Sequence, residues 1–297
     1  KTSLVIDKRY YYAAKKQLEP KGFDVICGSD FGYLAEAVVS NEAHVLGIDF
    51  GVTTLAQLNA LKKALPGIEF FDIGPELEYE ASIKNPEEIK VIAKACAIAE
   101  KSFLETIPFF ETGVTEADIA AELEYRFKKN GASDKSFDTI VAFGANSAVP
   151  HHATGKTKLK ENVPVLMDFG CIYSGYCSDM TRTMFYGEPD EKFLQAYKAV
   201  YEAHFAALNN IKAGMTGKEA DAIARSVLEK YGYAKYFTHS LGHGIGVHIH
   251  EYPCLTPSPR GLCYLENGMV FSDEPGVYFD GKFGIRIEDS CYMRDGK

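Results

Sequence analysis

The sequence lacks the features of several classes of protein. No apolar run approaches the roughly 18 residues of a membrane-spanning helix, and no charged-then-apolar signal segment opens the chain. Positive charge is scarce, since 32 Lys and Arg stand against 41 Asp and Glu, which gives a net charge of −9. Such a surface repels phosphate polyanions. We therefore expect no binding to membranes and no general binding to nucleic acids.

The cysteines form no recognisable disulfide or zinc pattern. There are seven of them, an odd number, at scattered positions and without a C-x-x-C pair. Such a distribution is typical of free thiols in a reducing compartment. We therefore expect a cytoplasmic protein.

The length of 297 residues suggests two domains, at roughly 150 residues per domain. Residues 1–80 alternate short apolar runs with amphipathic ones, which predicts a small α/β domain. The predicted strands are 2–6, 23–27, 45–50 and 69–73, and the predicted helices are 8–18, 33–40 and 53–65. Because the first strand starts almost at residue 1, we expect this domain to be incomplete at its N-terminus.

Residues 81–297 form the second predicted domain, of class α+β. Asn85-Pro86 followed by two acids predicts the start of a long helix. Gly113-Val-Thr115 and Gly214-Met-Thr216 each precede a helical pattern that ends in a Gly, 101 residues apart (214 − 113). Two unrelated helices could share these capping residues, but we favour an internal repeat of two related halves.

Four acids of this domain stand in apolar, strand-like sequence where few bases are near. An unpaired buried carboxylate costs several kcal/mol, and Arg182 and Arg286 are the only local cations. Two divalent ions would balance the charge. Oxygen-rich ligands with an imidazole and no thiolate suit manganese, cobalt or a catalytic zinc pair. The acids are Asp168, Asp179, Glu274 and Glu288.

Each motif taken alone has a plain structural explanation. An Asp at a strand end can be a turn residue, Asp179 can pair with Arg182 at the surface, and Gly-His-Gly is common near loops. Together and in this order they favour a common site.

The order resembles the pita-bread metallopeptidases, the family of methionine aminopeptidase, aminopeptidase P and prolidase. The resemblance covers roughly residues 85–294. Asn146-Ser-Ala-Val-Pro-His151 and Arg286-Ile-Glu288-Asp289 are similar to motifs of the proline-specific branch. It implies a pita-bread catalytic domain with a pseudo-twofold repeat, preceded by a smaller creatinase-N-like domain.

The resemblance also implies the ligands of a two-metal site. Asp168 would hold one ion with both oxygens, Asp179 and Glu288 would bridge the pair, and His243 and Glu274 would complete the second ion. Manganese is the first choice, with cobalt or zinc as alternatives.

The remaining predicted site residues would act on the substrate. Glu274 would accept a proton, and His239 and His250 would donate to the substrate carbonyl or the oxyanion. His151 would complete the pocket, and Arg286 would orient Asp179 or the substrate.

Two further expectations concern residues outside these motifs. Asp273 stands where the family usually has an apolar residue, and strand alternation should aim it away from the ligands without effect on them. We expect His152 at the surface, and His44 and His204 to be structural.

The primary functional prediction is an Xaa-Pro aminopeptidase that acts on peptides with proline in second position. The resemblance to the pita-bread family also implies a homodimer. A prolidase limited to Xaa-Pro dipeptides is the alternative. A methionine aminopeptidase is a weaker choice, and a catalytically inactive peptide-binding module or a creatinase-like hydrolase is disfavoured because the ligand set is intact.

Overall fold

A computed structural model of the chain describes residues 2–28, 38 and 43–297. It divides the chain into two units, Lys1–Leu77 and Glu78–Lys297. In the described residues, no helix combines the length and the apolar character needed to cross a membrane.

The first unit contains two pairs of parallel strands. The strands are β1 (Ser3–Ile6), β2 (Asp24–Cys27), β3 (Val45–Ile48) and β4 (Glu69–Asp72), and the helices are α1 (Lys8–Leu18) and α2 (Leu55–Ala64). The four strands and these two helices confirm the sequence prediction within two residues at each end. The helix predicted at 33–40 lies outside the described residues.

The second unit is built from long helices and short antiparallel sheets. Its helices are α3 (Gly74–Ser82), α4 (Pro86–Thr106), α5 (Glu116–Lys129), α6 (Glu191–Asn210) and α7 (Gly217–Lys230). The first of them, α3, begins before residue 78. Its strands are β5 (Asp134–Lys135), β6 (Ile140–Phe143), β7 (Val163–Phe169), β8 (Cys171–Tyr173), β9 (Tyr176–Cys177), β10 (Met180–Tyr186), β11 (Gly242–Gly244), β12 (Glu251–Leu255), β13 (Val270–Asp273), β14 (Gly276–Phe279), β15 (Phe283–Arg286) and β16 (Asp289–Tyr292).

The helices of the second unit occur as two similar pairs, α4–α5 and α6–α7. Asn85 caps α4 as predicted, with Glu88 closing the capping box. Thr115 and Thr216 cap α5 and α7 in the same way, and both helices have 14 residues. Each pair covers its own hydrophobic core, one around Leu123 and the other around Leu228.

Two antiparallel sheets bring the predicted site residues toward one another. In one, β7 lies between β6 and β10, so that Asp168 is paired with Thr181. In the other, β13 lies between β11 and β16, and Asp273 faces Asp289 in register. A bridge between Thr181 and Glu288 joins the two groups of strands. Strand ends from both halves therefore meet at one place.

The caps of the repeated helices can be tested by mutation. Thr115 Oγ1 accepts a hydrogen bond from the Asp118 amide, 3.1 Å away. Thr115→Ala removes that acceptor and should lower the free energy of unfolding by about 1 kcal/mol. Chemical denaturation measures it. Thr115→Ser keeps the hydroxyl and should stay close to the wild type; equal losses in both variants would contradict the cap.

Candidate metal centre and active site

Five predicted ligands lie at strand ends of both halves. Asp168 is the second-last residue of β7, and Asp179 immediately precedes β10. His243 is the middle residue of the short strand β11. Glu274 follows β13, and Glu288 lies between β15 and β16. Ligand atoms of Asp179, His243 and Glu288 lie within 4.8 Å of one another, which makes them the one metal-type group found in the described residues.

His243 is held as a neutral ring that offers one nitrogen to the site. Its Nδ1 lies 3.0 Å from the Gly244 carbonyl oxygen, which places the proton on Nδ1. Nε2 faces Glu274 Oε1 at 3.4 Å and Asp179 Oδ2 at 3.6 Å. Burial, with the neighbouring His250, lowers the pKa of His243 to about 4. A neutral imidazole with a free nitrogen is the form that binds metals.

Local sequence explains how His243 reaches this position. A Cβ on Gly242 would collide with the main-chain carbonyl of Ser272. Glycine at 242 therefore lets β11 lie close against β13. In addition, the Ser272 hydroxyl accepts from the His243 amide at 3.0 Å and donates to Glu274 Oε1 at 3.0 Å.

Arg286 is the cation that contacts the acids directly. Its guanidinium is 3% exposed and donates from Nη2 to Asp168 Oδ2 at 2.6 Å. The other carboxylate oxygen of Asp168, Oδ1, is buried and has no hydrogen-bond partner among the described residues. The sequence predicts that Arg286 orients Asp179 or the substrate, whereas the carboxylate to which it donates is that of Asp168. Its action on the substrate stays a prediction.

The four acids carry more negative charge than their surroundings compensate. Burial raises the pKa of Asp179 and that of Glu288, and the neighbouring carboxylates add to both shifts. Burial also raises the pKa of Glu274 to about 8, against the opposing charge of Arg286. The residues therefore fit divalent cations: the cluster needs positive charge, Asp168 Oδ1 lacks a partner, and the donors are oxygen with one imidazole.

His239 contacts the site through a tyrosine that sequence reasoning did not single out. Its Nδ1 lies 2.8 Å from the Ser240 carbonyl oxygen, and its Nε2 lies 2.8 Å from the Tyr278 hydroxyl. That hydroxyl also accepts from Arg286 Nη1 at 2.8 Å. Burial lowers the pKa of His239 to about 3, so the ring is neutral. In this arrangement both nitrogens are engaged, and its predicted donation to substrate stays a prediction.

His250 and His151 have exposed side chains beside these groups. The rings of His250 and His243 are 4.2 Å apart between centroids. Burial lowers the pKa of His250, and the charge of His151 lowers it further. Both residues are free of side-chain hydrogen bonds within the described part of the chain, and their predicted contact with substrate stays a prediction.

Sequence reasoning also missed the groups that hold the loop after β6. Glu116, fully buried, accepts from the amides of Phe143 and Gly155 at 2.9 and 3.1 Å. His152 Nε2 lies 3.0 Å from the same carboxylate, and its side chain is 16% exposed. The expectation that His152 lies at the surface is therefore wrong. The signal available in the sequence was an acid at the first position of a helix, which is common in any protein.

Two protein-family profiles match the chain, one in each of its two units. The profile of metallopeptidase family M24 matches residues 90–295, and that of the creatinase/prolidase N-terminal domain matches residues 1–79. The chain belongs to metallopeptidase family M24. The predicted pita-bread fold and the creatinase-N-like domain are confirmed. Family membership implies divalent metal ions and a metallo-exopeptidase activity.

Several M24 relatives are similar along most of the chain. The Xaa-Pro dipeptidase from Bacillus anthracis matches with a TM-score of 0.93 and 38% identity, covering 98% of this chain and 82% of that one. The X-Pro aminopeptidase from Thermotoga maritima MSB8 matches with a TM-score of 0.90 and 36% identity, covering 99% and 83%. The Xaa-Pro dipeptidase of Pyrococcus furiosus is 37% identical over 293 residues, 99% of this chain and 82% of the relative.

These relatives correct the order of the functional predictions. The primary prediction, an Xaa-Pro aminopeptidase, is not confirmed, and the dipeptidase alternative fits the M24 relatives better. The sequence motifs are shared by both activities, which is why they did not separate them.

The crowded acids predict a pH dependence for the metal-free protein. The pKa of Glu274 is about 8 when folded against 4.5 as its ordinary value, so the folded state binds the extra proton between these values. The free energy of unfolding in EDTA should therefore fall as the pH rises from about 4.5 to about 8. Denaturation at several pH values measures the slope.

Glu274→Gln should reduce this slope because the amide does not ionise, while Asp179 and Glu288, whose pKa values are also raised, keep part of it. Glu229→Gln, at an exposed site on α7, is the matched control and should retain the wild-type slope. A slope unchanged by Glu274→Gln would contradict the raised pKa.

Proposed function

We propose that the protein is a dinuclear metal-dependent Xaa-Pro dipeptidase that hydrolyses the bond between an N-terminal residue and proline. The observation that carries this proposal is the convergence of buried acids and one neutral histidine from both halves of the fold. Arg286 is the single cation in contact with them in the described part of the chain. The choice of a dipeptidase is supported by the M24 relatives of that name.

The proposed ligands are those expected from the sequence: Asp168, Asp179, His243, Glu274 and Glu288. A bound pair of divalent ions polarises a peptide carbonyl and lowers the pKa of a shared water. The chain fixes the ligands beforehand. Thr181 donates to Glu288 Oε2 at 2.5 Å, and Ser272 donates to Glu274 Oε1 at 3.0 Å. Preset ligands reduce the reorganisation that metal binding requires.

Glu274 is the proposed proton acceptor. Burial raises the pKa of this carboxyl group to about 8 in the metal-free protein. Positive charge at the site would lower that pKa, so that the ionised carboxylate could accept a proton. Oε1 is occupied by the Ser272 hydroxyl, so Oε2 is the proposed atom for this task.

The exposed histidines are the proposed groups that meet the substrate. His250 and His151 carry imidazole donors without internal partners, and a donor near the scissile carbonyl stabilises negative charge on its oxygen. Tyr278 remains protonated, because burial raises its pKa to about 12, and it links Arg286 to His239. We propose that Arg286, Tyr278 and His239 together fix the wall of the pocket.

Finer properties are proposals with less support. Manganese suits ligands that are mostly carboxylate oxygen. A cytoplasmic location is supported by seven free cysteines. The resemblance to the family supports a homodimer. The change of sequence pattern supports a domain boundary at residue 80.

Substrate length separates the proposal from its nearest competitor. The protein, stripped with EDTA and given Mn²⁺, should hydrolyse an Xaa-Pro dipeptide and act much more slowly on the matching Xaa-Pro-Yaa tripeptide. kcat/KM for the two substrates measures this. Preference for the tripeptide would instead establish an aminopeptidase, the activity for which the Thermotoga relative is named. No turnover of either with any divalent metal would overturn the proposal.

Loss of a single proposed ligand should remove activity. Glu288→Gln keeps the size of the side chain but removes its charge, and kcat/KM should fall at least about 100-fold, because even supporting residues cost 10–100-fold. Glu229→Gln, on the surface of α7, should leave kcat/KM unchanged. Comparable rates in both variants would exclude Glu288 from the site.

A further inference from the structure

Behind the candidate metal centre lies a buried histidine between two acids that are not ligands. His204, in α6, is 2% exposed. Its Nδ1 lies 3.2 Å from Asp273 Oδ2, and its Nε2 lies 3.1 Å from Asp289 Oδ2. Nδ1 is also within hydrogen-bond distance of the main-chain carbonyl of Asp273, at 3.2 Å. Because an acceptor faces each ring nitrogen, both nitrogens carry protons. Burial opposes the charged ring, but the two acids raise the pKa of His204 to about 9.

The two acids flank proposed ligands in the sequence. Asp273 immediately precedes Glu274, and Asp289 immediately follows Glu288. They also face one another across the β13–β16 ladder. A single side chain from a helix therefore ties together the two strand ends from which Glu274 and Glu288 project.

The same network extends to the main chain of other ligands. Arg182 donates from Nη2 to Asp289 Oδ1 at 2.6 Å and from Nη1 to the Glu288 carbonyl at 2.6 Å. On β16, the Ser290 hydroxyl donates to the Asp179 carbonyl at 2.8 Å and accepts from its amide at 3.3 Å. Fixing Asp289 thus fixes the backbone at Glu288, and fixing β16 fixes the backbone at Asp179.

The charges of this layer balance within it. His204 and Arg182 are positive, and Asp273 and Asp289 are negative, so the layer leaves the charge of the ligand cluster uncompensated. His204 is the only cation in contact with Asp273 among the described side chains. Asp273, which stands where the resembled family usually has an apolar residue, lies against His204. Both of its carboxylate oxygens are buried and accept no hydrogen bond from the described residues. The inference below differs from the expectation that Asp273 has no effect on the ligands.

We infer that His204, with Asp273 and Asp289, is a positioning residue that sets the separation of Glu274 and Glu288 and thereby the affinity for divalent metal. The inference rests on the metal site of the proposed function. It does not depend on which peptide is cleaved.

The direct test is Mn²⁺ binding to the metal-free protein, measured by titration calorimetry. His204→Asn should weaken binding of the more weakly held ion about tenfold or more, as the loss of a supporting residue does. Removal of a positive charge would by Coulomb's law alone tighten cation binding. The positioning role and a purely electrostatic role therefore predict opposite signs.

Kinetics supply a second readout. If His204 acts through metal affinity, excess Mn²⁺ should restore most of the kcat of His204→Asn. Asp273→Asn breaks the same tie, so the double variant should lose less affinity than the sum of the single losses. If His204→Asn does not fold, His204→Gln, which retains a donor, replaces it in every comparison.

Leu123→Ala is the control for general destabilisation. Leu123 is fully buried in the core under α5, and that core cluster contains none of these groups. The Leu123→Ala substitution should lower the melting temperature without changing Mn²⁺ affinity.

Unchanged or tighter Mn²⁺ binding in His204→Asn would overturn the inference while leaving the proposed function intact. Two bound Mn²⁺ without Xaa-Pro hydrolysis in the wild type would overturn the function while the inference could still be measured.

Discussion

The structure depends on keeping four carboxylates together inside the protein. Asp168, Asp179, Glu274 and Glu288 repel one another, and burial removes the water that would screen them. Arg286 offsets one negative charge, so the cluster keeps a net negative charge. Protons can neutralise this charge at low pH, but at neutral pH divalent cations are the chemically suited partners. Folding and metal binding are therefore coupled in this unit.

Duplication of a helix pair and its strands supplies the opposed ligands. Each half has its own core and its own capped helix, so each can hold strand ends rigidly against the other. The first half contributes the proposed ligands Asp168 and Asp179, and the second contributes the proposed ligands His243, Glu274 and Glu288. Thr181, Ser272 and Arg286 hydrogen-bond to the carboxylates of Glu288, Glu274 and Asp168, respectively. Ligand geometry is thus a property of the whole fold.

The sequence predicted the described strands and two helices of the first unit, and it singled out acids that the structure brings together, because both leave local signals. It did not predict α3 (Gly74–Ser82). Asn85-Pro86 marks a helix start wherever it occurs, and an acid inside an apolar strand is costly enough to be conspicuous. The supporting contacts left no such signal. Tyr278 contacts Arg286 8 residues away, Glu116 contacts Gly155 39 residues away, and His204 contacts Asp273 69 residues away. Nothing near these residues in the chain indicates the partner.

The central claim is that paired dications make the crowding of acids tolerable. Anomalous diffraction at the manganese edge, from crystals of the protein loaded with Mn²⁺, tests it most directly. The account predicts two peaks per chain, roughly 3.5–4 Å apart, with Asp179, Glu288 and His243 among the residues that contact them. An absence of peaks at these side chains, or peaks only at surface acids, would contradict it.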